Sequence, residues 1–178
     1  MTPRIGARER GVATVELAVI LGLMATLLLG VVELSRATQQ FATLTGAARA
    51  AARLAAASAS PEGIASAQCL AVYGRALESC ADGSAGAPLL PGLSTRHVLI
   101  SVPTDLRDAS GELVRAATPG LASIQARAAD GSAAGTLDLL TVTLGPPGAR
   151  YRFVPLMSAW MPAFDFAPIS VSMAMAGH

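Results

Sequence analysis

Gly11-Val-Ala-Thr-Val-Glu16-Leu-Ala-Val-Ile-Leu-Gly-Leu-Met-Ala-Thr-Leu-Leu-Leu-Gly-Val-Val32 decides how the rest of the chain is read. From Leu17 to Val32 it carries no charge. Counted from Val12 it supplies about 21 residues, close to the number a helix needs to cross a hydrocarbon core. Its one acid, Glu16, stands near the start. A carboxylate at the centre of a span costs about 2.5–3.5 kcal/mol, and less toward the interface. An acid kept at that depth is expected to serve something besides anchoring.

On the amino-terminal side, residues 1–11 hold Arg4, Arg8 and Arg10 against the single acid Glu9. Basic residues before a long apolar run keep the N-terminus in the cytoplasm and send the body, Glu33 to His178, across the membrane. An ordinary secretory signal peptide is the alternative, with Ser35-Arg36-Ala37 as a weak cleavage site. The apolar run, however, exceeds the usual h-region of about 7–15 residues, and Glu16 would fall inside it.

On the other side the helical pattern continues. Leu34, Ala37, Phe41, Leu44, Ala48, Ala51 and Ala55 recur at spacings of three and four, a packing stripe, while Arg36, Arg49 and Arg53 fall off it. Alanine is the best helix former, and no proline occurs between Arg4 and Ser60. One helix from Val12 to about Ala57, roughly 70 Å long, is expected. A bend at Gly30 or Gly46 followed by a separate amphipathic helix is the alternative. Glu33 and Arg36 read as the polar exit of the span, paired or solvated.

Ser60-Pro61-Glu62 supplies an N-cap, a first-turn proline and a first-turn acid. A short helix should run from Pro61 to about Tyr73 and stop at Gly74. Were it to continue, Cys69 and Cys80 would lie about 16 Å apart, beyond disulfide reach. If it stops, the polar stretch from Glu78 to Gly86 can fold back and the pair becomes feasible in an exported domain. Two unpaired thiols are the other reading.

After Gly92 the period changes. Val98, Ile100 and Val102 alternate with His97, Leu99 and Ser101, a strand ending at Pro103. Thr104 to Gly120 reads as a polar loop, with Asp105, Asp108 and Glu112 as solvated acids. Leu121 to Arg127 and Thr136 to Leu144 read as a hairpin with an enlarged turn, closed by Gly145-Pro-Pro-Gly148. Tyr151 to Val154 is a short extended segment, Pro155 to Pro168 an apolar loop, and Ile169, Val171 and Met173 mark a last strand. One long helix, a short helix and four or five antiparallel strands make an α+β fold. Tyr151, Phe153, Trp160, Phe164 and Phe166 are either the core of that sheet or part of an exposed loop. Met157, Trp160 and Met161 are candidates for contact with the membrane or another subunit.

Composition narrows the function. About half the chain is apolar (52%) and only 14% is charged, with a net charge of +1. Nothing in that balance selects nucleic acid. Lysine is absent, so every cation apart from the histidines is arginine. His97 and His178 are isolated, and His97 on a strand reads as a surface residue. No serine has an evident partnered base, and no metal-ligand cluster or phosphate-cradling loop occurs. These features point away from an enzyme, and no cofactor, metal or small-molecule substrate is expected.

The glycine–glutamate pair at Gly11 and Glu16 before an apolar run is the pattern of a type IV prepilin. More specifically, Arg10-Gly-Val-Ala-Thr-Val-Glu-Leu-Ala18, Gly30-Val-Val-Glu-Leu-Ser-Arg36, Ala47-Ala-Arg49 and Ala52-Arg53 resemble TadE-like pseudopilins, minor pilin-like proteins of tight-adherence (Flp-type) pilus systems. Leu70-Ala-Val-Tyr-Gly74, Pro88-Leu-Leu-Pro-Gly-Leu93, Val142-Thr143, Tyr151-Arg-Phe-Val-Pro-Leu156 and Pro168-Ile-Ser-Val171 are similar as well. Leu17 stands where family members usually carry an aromatic, and the span lacks the proline they often have.

The resemblance implies cleavage by a prepilin peptidase between Gly11 and Val12, and an inner-membrane protein whose globular part faces the periplasm. It implies other pilin or pseudopilin subunits and the pilus assembly machinery as partners, and a role in pilus biogenesis, adhesion and biofilm formation. By analogy with pilins, Glu16 would meet the new amino terminus of a neighbouring subunit. The expected organisation is a leader over 1–11, a transmembrane helix over 12–32, its periplasmic continuation over 33–57 and an α+β domain over 58–178. An unprocessed, membrane-anchored periplasmic binding or adhesion module is the alternative function.

Overall fold

The structure is a computed structural model and describes residues 6–58, 60–80, 85–107, 110–118, 121, 124–127, 129–158 and 161–175. It is an α+β fold. Two compact units are distinguished, Met1–Gln39 and Gln40–His178. The first belongs wholly to helix α1, Gly6–Ala57, among its described residues. Along α1 the hydroxyls of Thr26, Ser35, Thr38 and Thr45 donate back to the carbonyls of Leu23, Val31, Leu34 and Phe41. Each polar side chain is thereby satisfied by its own helix.

In the second unit the core begins on α1. Leu44, Ala47, Ala48, Ala51, Ala52 and Ala55 are buried, while Arg49 and Arg53 remain exposed. They share one apolar cluster with Ile64, Ala67, Ala71 and Val72 of helix α2, Pro61–Tyr73. Of the expected stripe, Leu34 and Phe41 are exposed.

Helix α2 is set by local signals at both ends. The Ser60 hydroxyl accepts the Gly63 N–H at 3.1 Å, with Pro61 at the first helical position. Gly63 has no substitute here, because a Cβ would collide with the Ser58 carbonyl. Gly74 ends the helix in the left-handed region at φ 71°, its N–H donating to the Leu70 carbonyl. Beyond it the chain doubles back, and Cys69 is joined to Cys80 by a disulfide with Cα atoms 5.7 Å apart. Both cysteines and Ala85 are buried in a small cluster of their own, flanked by Tyr73 and Leu77.

The main sheet has the order β1-β6-β9, with β1 Val98–Ser101, β6 Leu139–Leu144 and β9 Ile169–Ala174, all antiparallel. Alternation decides its faces. Leu140, Val142 and Leu144 are buried along with Val98, Ile100 and Val102. On the other face Thr141 pairs with Ser172 at 2.8 Å and Thr143 with Ser170 at 3.0 Å.

Three departures concern the remaining strands. The segment expected to be a loop from Thr104 to Gly120 contains a ladder of β2, Leu106–Arg107, and β3, Leu113–Arg115. The Arg115 guanidinium donates to the Ile100 carbonyl at 2.6 Å. The stretch from Thr136 to Leu144 is not one strand. Residues up to Leu137 belong to β5, Ala133–Leu137, which pairs with β4, Ile124–Arg127, whereas β6 starts at Leu139 with different neighbours. Asp138 marks the change, its carbonyl accepting the Met175 N–H at 2.8 Å. Between β4 and β5, Asp130 accepts from the backbone and hydroxyl of Ser132 and shapes the turn. Finally, the apolar loop from Pro155 to Pro168 contains β8, Phe164–Asp165, paired with β7, Arg152–Phe153. The described residues thus hold nine strands, most of them very short, where four or five were expected.

The aromatic residues resolve into a core with an exposed margin. Phe153 is fully buried, its ring centroid 5.2 Å from Phe164 and 6.1 Å from Phe166. Tyr151 stacks on Phe166, and Phe41 of α1 meets Phe166 edge-on at 5.8 Å. The buried Tyr151 hydroxyl donates to the Pro91 carbonyl at 3.1 Å and approaches Gln40 Oε1 at 3.4 Å. Phe164 remains partly exposed.

His97 is buried against the edge of Tyr151, not on the surface as its place in the alternation suggested. It closes a 3-10 turn, Thr95–His97, ahead of β1, so the pleat does not yet govern it. The Ser94 N–H donates to Nδ1 at 3.0 Å, which suits a neutral ring protonated on Nε2.

Two measurements follow from this packing. The disulfide closes a loop with a sequence separation of 11, so reduction or Cys80→Ser should lower unfolding stability by about 3 kcal/mol in a urea titration. For His97, burial lowers the imidazole pKa below the ordinary 6.5; a hydrogen bond that the protonated ring donates to the Ser94 carbonyl raises it in part, and Arg96 lowers it again. As pH falls below 6.5 the unfolded chain takes up the proton first, so this contribution to stability, full above that value, is lost on the way to the folded pKa. His97→Gln should flatten that acid limb relative to the parent protein.

Candidate functional site

Residues 12–32 of α1 are exposed throughout, apart from a half-buried Thr26. Their apolar window has a mean hydropathy of 2.5, with none of it buried. A helix satisfies its own backbone hydrogen bonds, which is what the interior of a bilayer demands of a spanning segment. This helix therefore fits a single-pass membrane anchor.

Glu16 lies on this surface, exposed, one helical turn beyond Val12. The Gly11–Val12 bond lies within the bounds of α1. At the far end of the apolar run, Glu33 is only 6% exposed and accepts a charge-assisted hydrogen bond from the Arg36 guanidinium at 2.8 Å. That pairing offsets part of the cost of withdrawing the carboxylate from water.

The other expected residues fall elsewhere. Cys69 and Cys80 are consumed in the disulfide. Met157 is exposed and Met161 half-buried, joined through a Met161 N–H to Met157 carbonyl bond at 3.3 Å; Trp160 lies outside the described residues. Asp105 accepts the Ala117 N–H at 2.7 Å, and Glu112 is exposed. Asp108 lies outside the described residues. Among the described residues no three His, Cys, Asp or Glu side chains come together as a metal-ligand set.

One feature of the second unit was missed in the sequence. A groove of about 670 Å³ is lined by Arg96, His97, Arg150, Tyr151, Arg152 and Asp165, among others. Arg150 and Arg152 flank a buried tyrosine in alternation, the local signal that both would share one outward face. Arg96 joins them only through the pairing of β1 with β6.

Residues 11–53 match the family model described as TadE-like protein. The match takes in Gly11, Glu16, the whole apolar run and the buried alanines up to Ala52, and it stops before α2. The similar blocks beyond Ser60 lie outside it. No curated protein and no solved structure matches the chain. From Gly11 to Arg53, over the apolar run and the first turns of the second unit's core, the chain is similar to TadE-like proteins.

Proposed function

We propose that the chain is a pilin-like structural and assembly subunit of a tight-adherence pilus, active in pilus biogenesis and through it in adhesion and biofilm formation. The observation that carries this reading is the TadE-like match over residues 11–53, which includes an unburied apolar run bearing a single carboxylate five residues after Gly11. In this reading the N-terminus is cytoplasmic, the apolar helix crosses the inner membrane and the second unit is periplasmic. The Cys69–Cys80 disulfide suits an oxidising compartment.

A prepilin peptidase would cut between Gly11 and Val12. That bond lies within a helix, and Gly11 eases local unwinding, since glycine is about 1 kcal/mol less favourable than alanine in a helix interior. Cleavage leaves an amino group at Val12 with a pKa near 8, about 6 Å along the axis from Glu16 of the same chain. In an assembly, Glu16 of one subunit neutralises the amino terminus of the next. Two charges that are each costly in lipid are thereby paired, and the stagger between neighbouring helices is set. Met157, Trp160 and Met161 are assigned to contact with a neighbouring subunit or the membrane surface.

Mass analysis of the membrane form should show loss of residues 1–11, and Gly11→Ala or loss of the peptidase should block it. An uncut mature protein would refute the processed-subunit reading. Glu16→Ala should be processed normally yet lose co-purification with sister subunits and piliation. Normal pili in that mutant would remove the charge-pairing role.

A further inference from the structure

The groove on the second unit collects like charge. Arg96, Arg150 and Arg152 stand against one carboxylate, Asp165, although the whole protein carries a net charge of only +1. All three arginines are exposed, and among the described residues none is held in an ion pair or a side-chain hydrogen bond. Arg152 and Asp165 are register partners across the β7–β8 ladder, yet they form no salt bridge. The floor is firm: Tyr151 is buried and bonded to the Pro91 carbonyl, and His97 is packed on its edge. Planar guanidinium forks around a rigid wall suit a phosphate or another oxyanion.

Two further observations choose the source of that oxyanion. Val154, itself a lining residue, is 61% exposed, and the chain leads directly from it to Leu156, 73% exposed, and Met157. An arginine-lined groove with Val154 in its lining and the exposed Leu156 and Met157 next along the chain has the composition of a surface that meets lipid headgroups and the acyl boundary together. The groove also lies where the chain enters this unit, because Tyr151 reaches Gln40, the unit's first residue.

We infer that this groove binds the phosphate headgroup of an anionic phospholipid, docking the second unit on the membrane that its own helix enters. The inference rests on the anchored reading given above. It adds a lipid-dependent contact: in a bilayer rich in anionic lipid the second unit is held at the surface, and in a neutral one it is released.

The test uses the full chain in nanodiscs of phosphatidylcholine with increasing phosphatidylglycerol, followed by hydrogen exchange and mass spectrometry. Residues 91–97 and 148–157 should gain protection as the anionic fraction rises, while α2 stays unchanged as an internal control for folding. Arg150→Gln or Arg152→Gln should raise the anionic fraction needed for half-protection roughly five-fold each, and Arg150→Lys, which keeps the charge without the planar fork, should fall between Arg150→Gln and the parent protein. About 1 M salt, where charges are screened within about 3 Å, should abolish it. Equal exchange with and without phosphatidylglycerol in disc-embedded protein overturns the inference and leaves the anchor intact. So does equal protection by inorganic phosphate over neutral discs, which would mark a site for a soluble oxyanion. Failure to enter the disc at all sinks the anchored reading and this one together.

Discussion

The buried alanine face of α1 is the constraint on which the core of the second unit depends. Ala48, Ala51, Ala52 and Ala55 present a face of α1 with almost no side-chain depth, and all four are inaccessible to water. Helix α2 brings Ala67 and Ala71 to the same cluster, and the sheet brings Val98, Ile100, Leu140 and Val142. Each alanine contributes little apolar area, so the cluster depends on many small dispersion contacts summed over its members. A larger residue at these fully buried positions would have to displace its neighbours in the cluster, the overpacking case that costs about 1–3 kcal/mol. The same residues are also the best helix formers, so local preference and tertiary packing agree along this stretch.

Legibility in the sequence followed the range over which each element is determined. Both helices were readable because their signals are local: the uninterrupted alanine and leucine periodicity of α1, and Ser60, Pro61 and Gly74 around α2. Strands β1, β6 and β9 were readable where at least three apolar residues alternate. The two-residue strands β2, β7 and β8 carry no period of their own and exist only through their partners. The break at Asp138 was hidden because the apolar run continues through Leu137, Leu139 and Leu140, and only the exchange of neighbours on either side reveals it. His97 was misassigned because a 3-10 turn delays the start of the pleat by one residue.

The candidate sites divide in the same way. Gly11, Glu16 and the apolar run form one contiguous pattern, which is why they stand out without a structure and why the TadE-like match covers them. The arginine groove draws on residues more than fifty positions apart, and no local motif announces it. The candidate residues thus read easily on the first unit, where they lie along one helix. On the second they depend on which loops the sheet brings together.

The order of strands in the main sheet has a consequence for biosynthesis. Its central strand, β6, is flanked on one side by β1 and on the other by β9, which ends at Ala174. The sheet therefore cannot close until β9 has left the ribosome. Until then the Leu139–Leu144 edge presents unpaired backbone and apolar side chains that invite association. The α1 helix, complete at Ala57, is available long before. Membrane engagement by the early helix can thus precede folding of the late sheet, and a chain that stalls before β9 would expose a ready signal for removal by quality-control proteases.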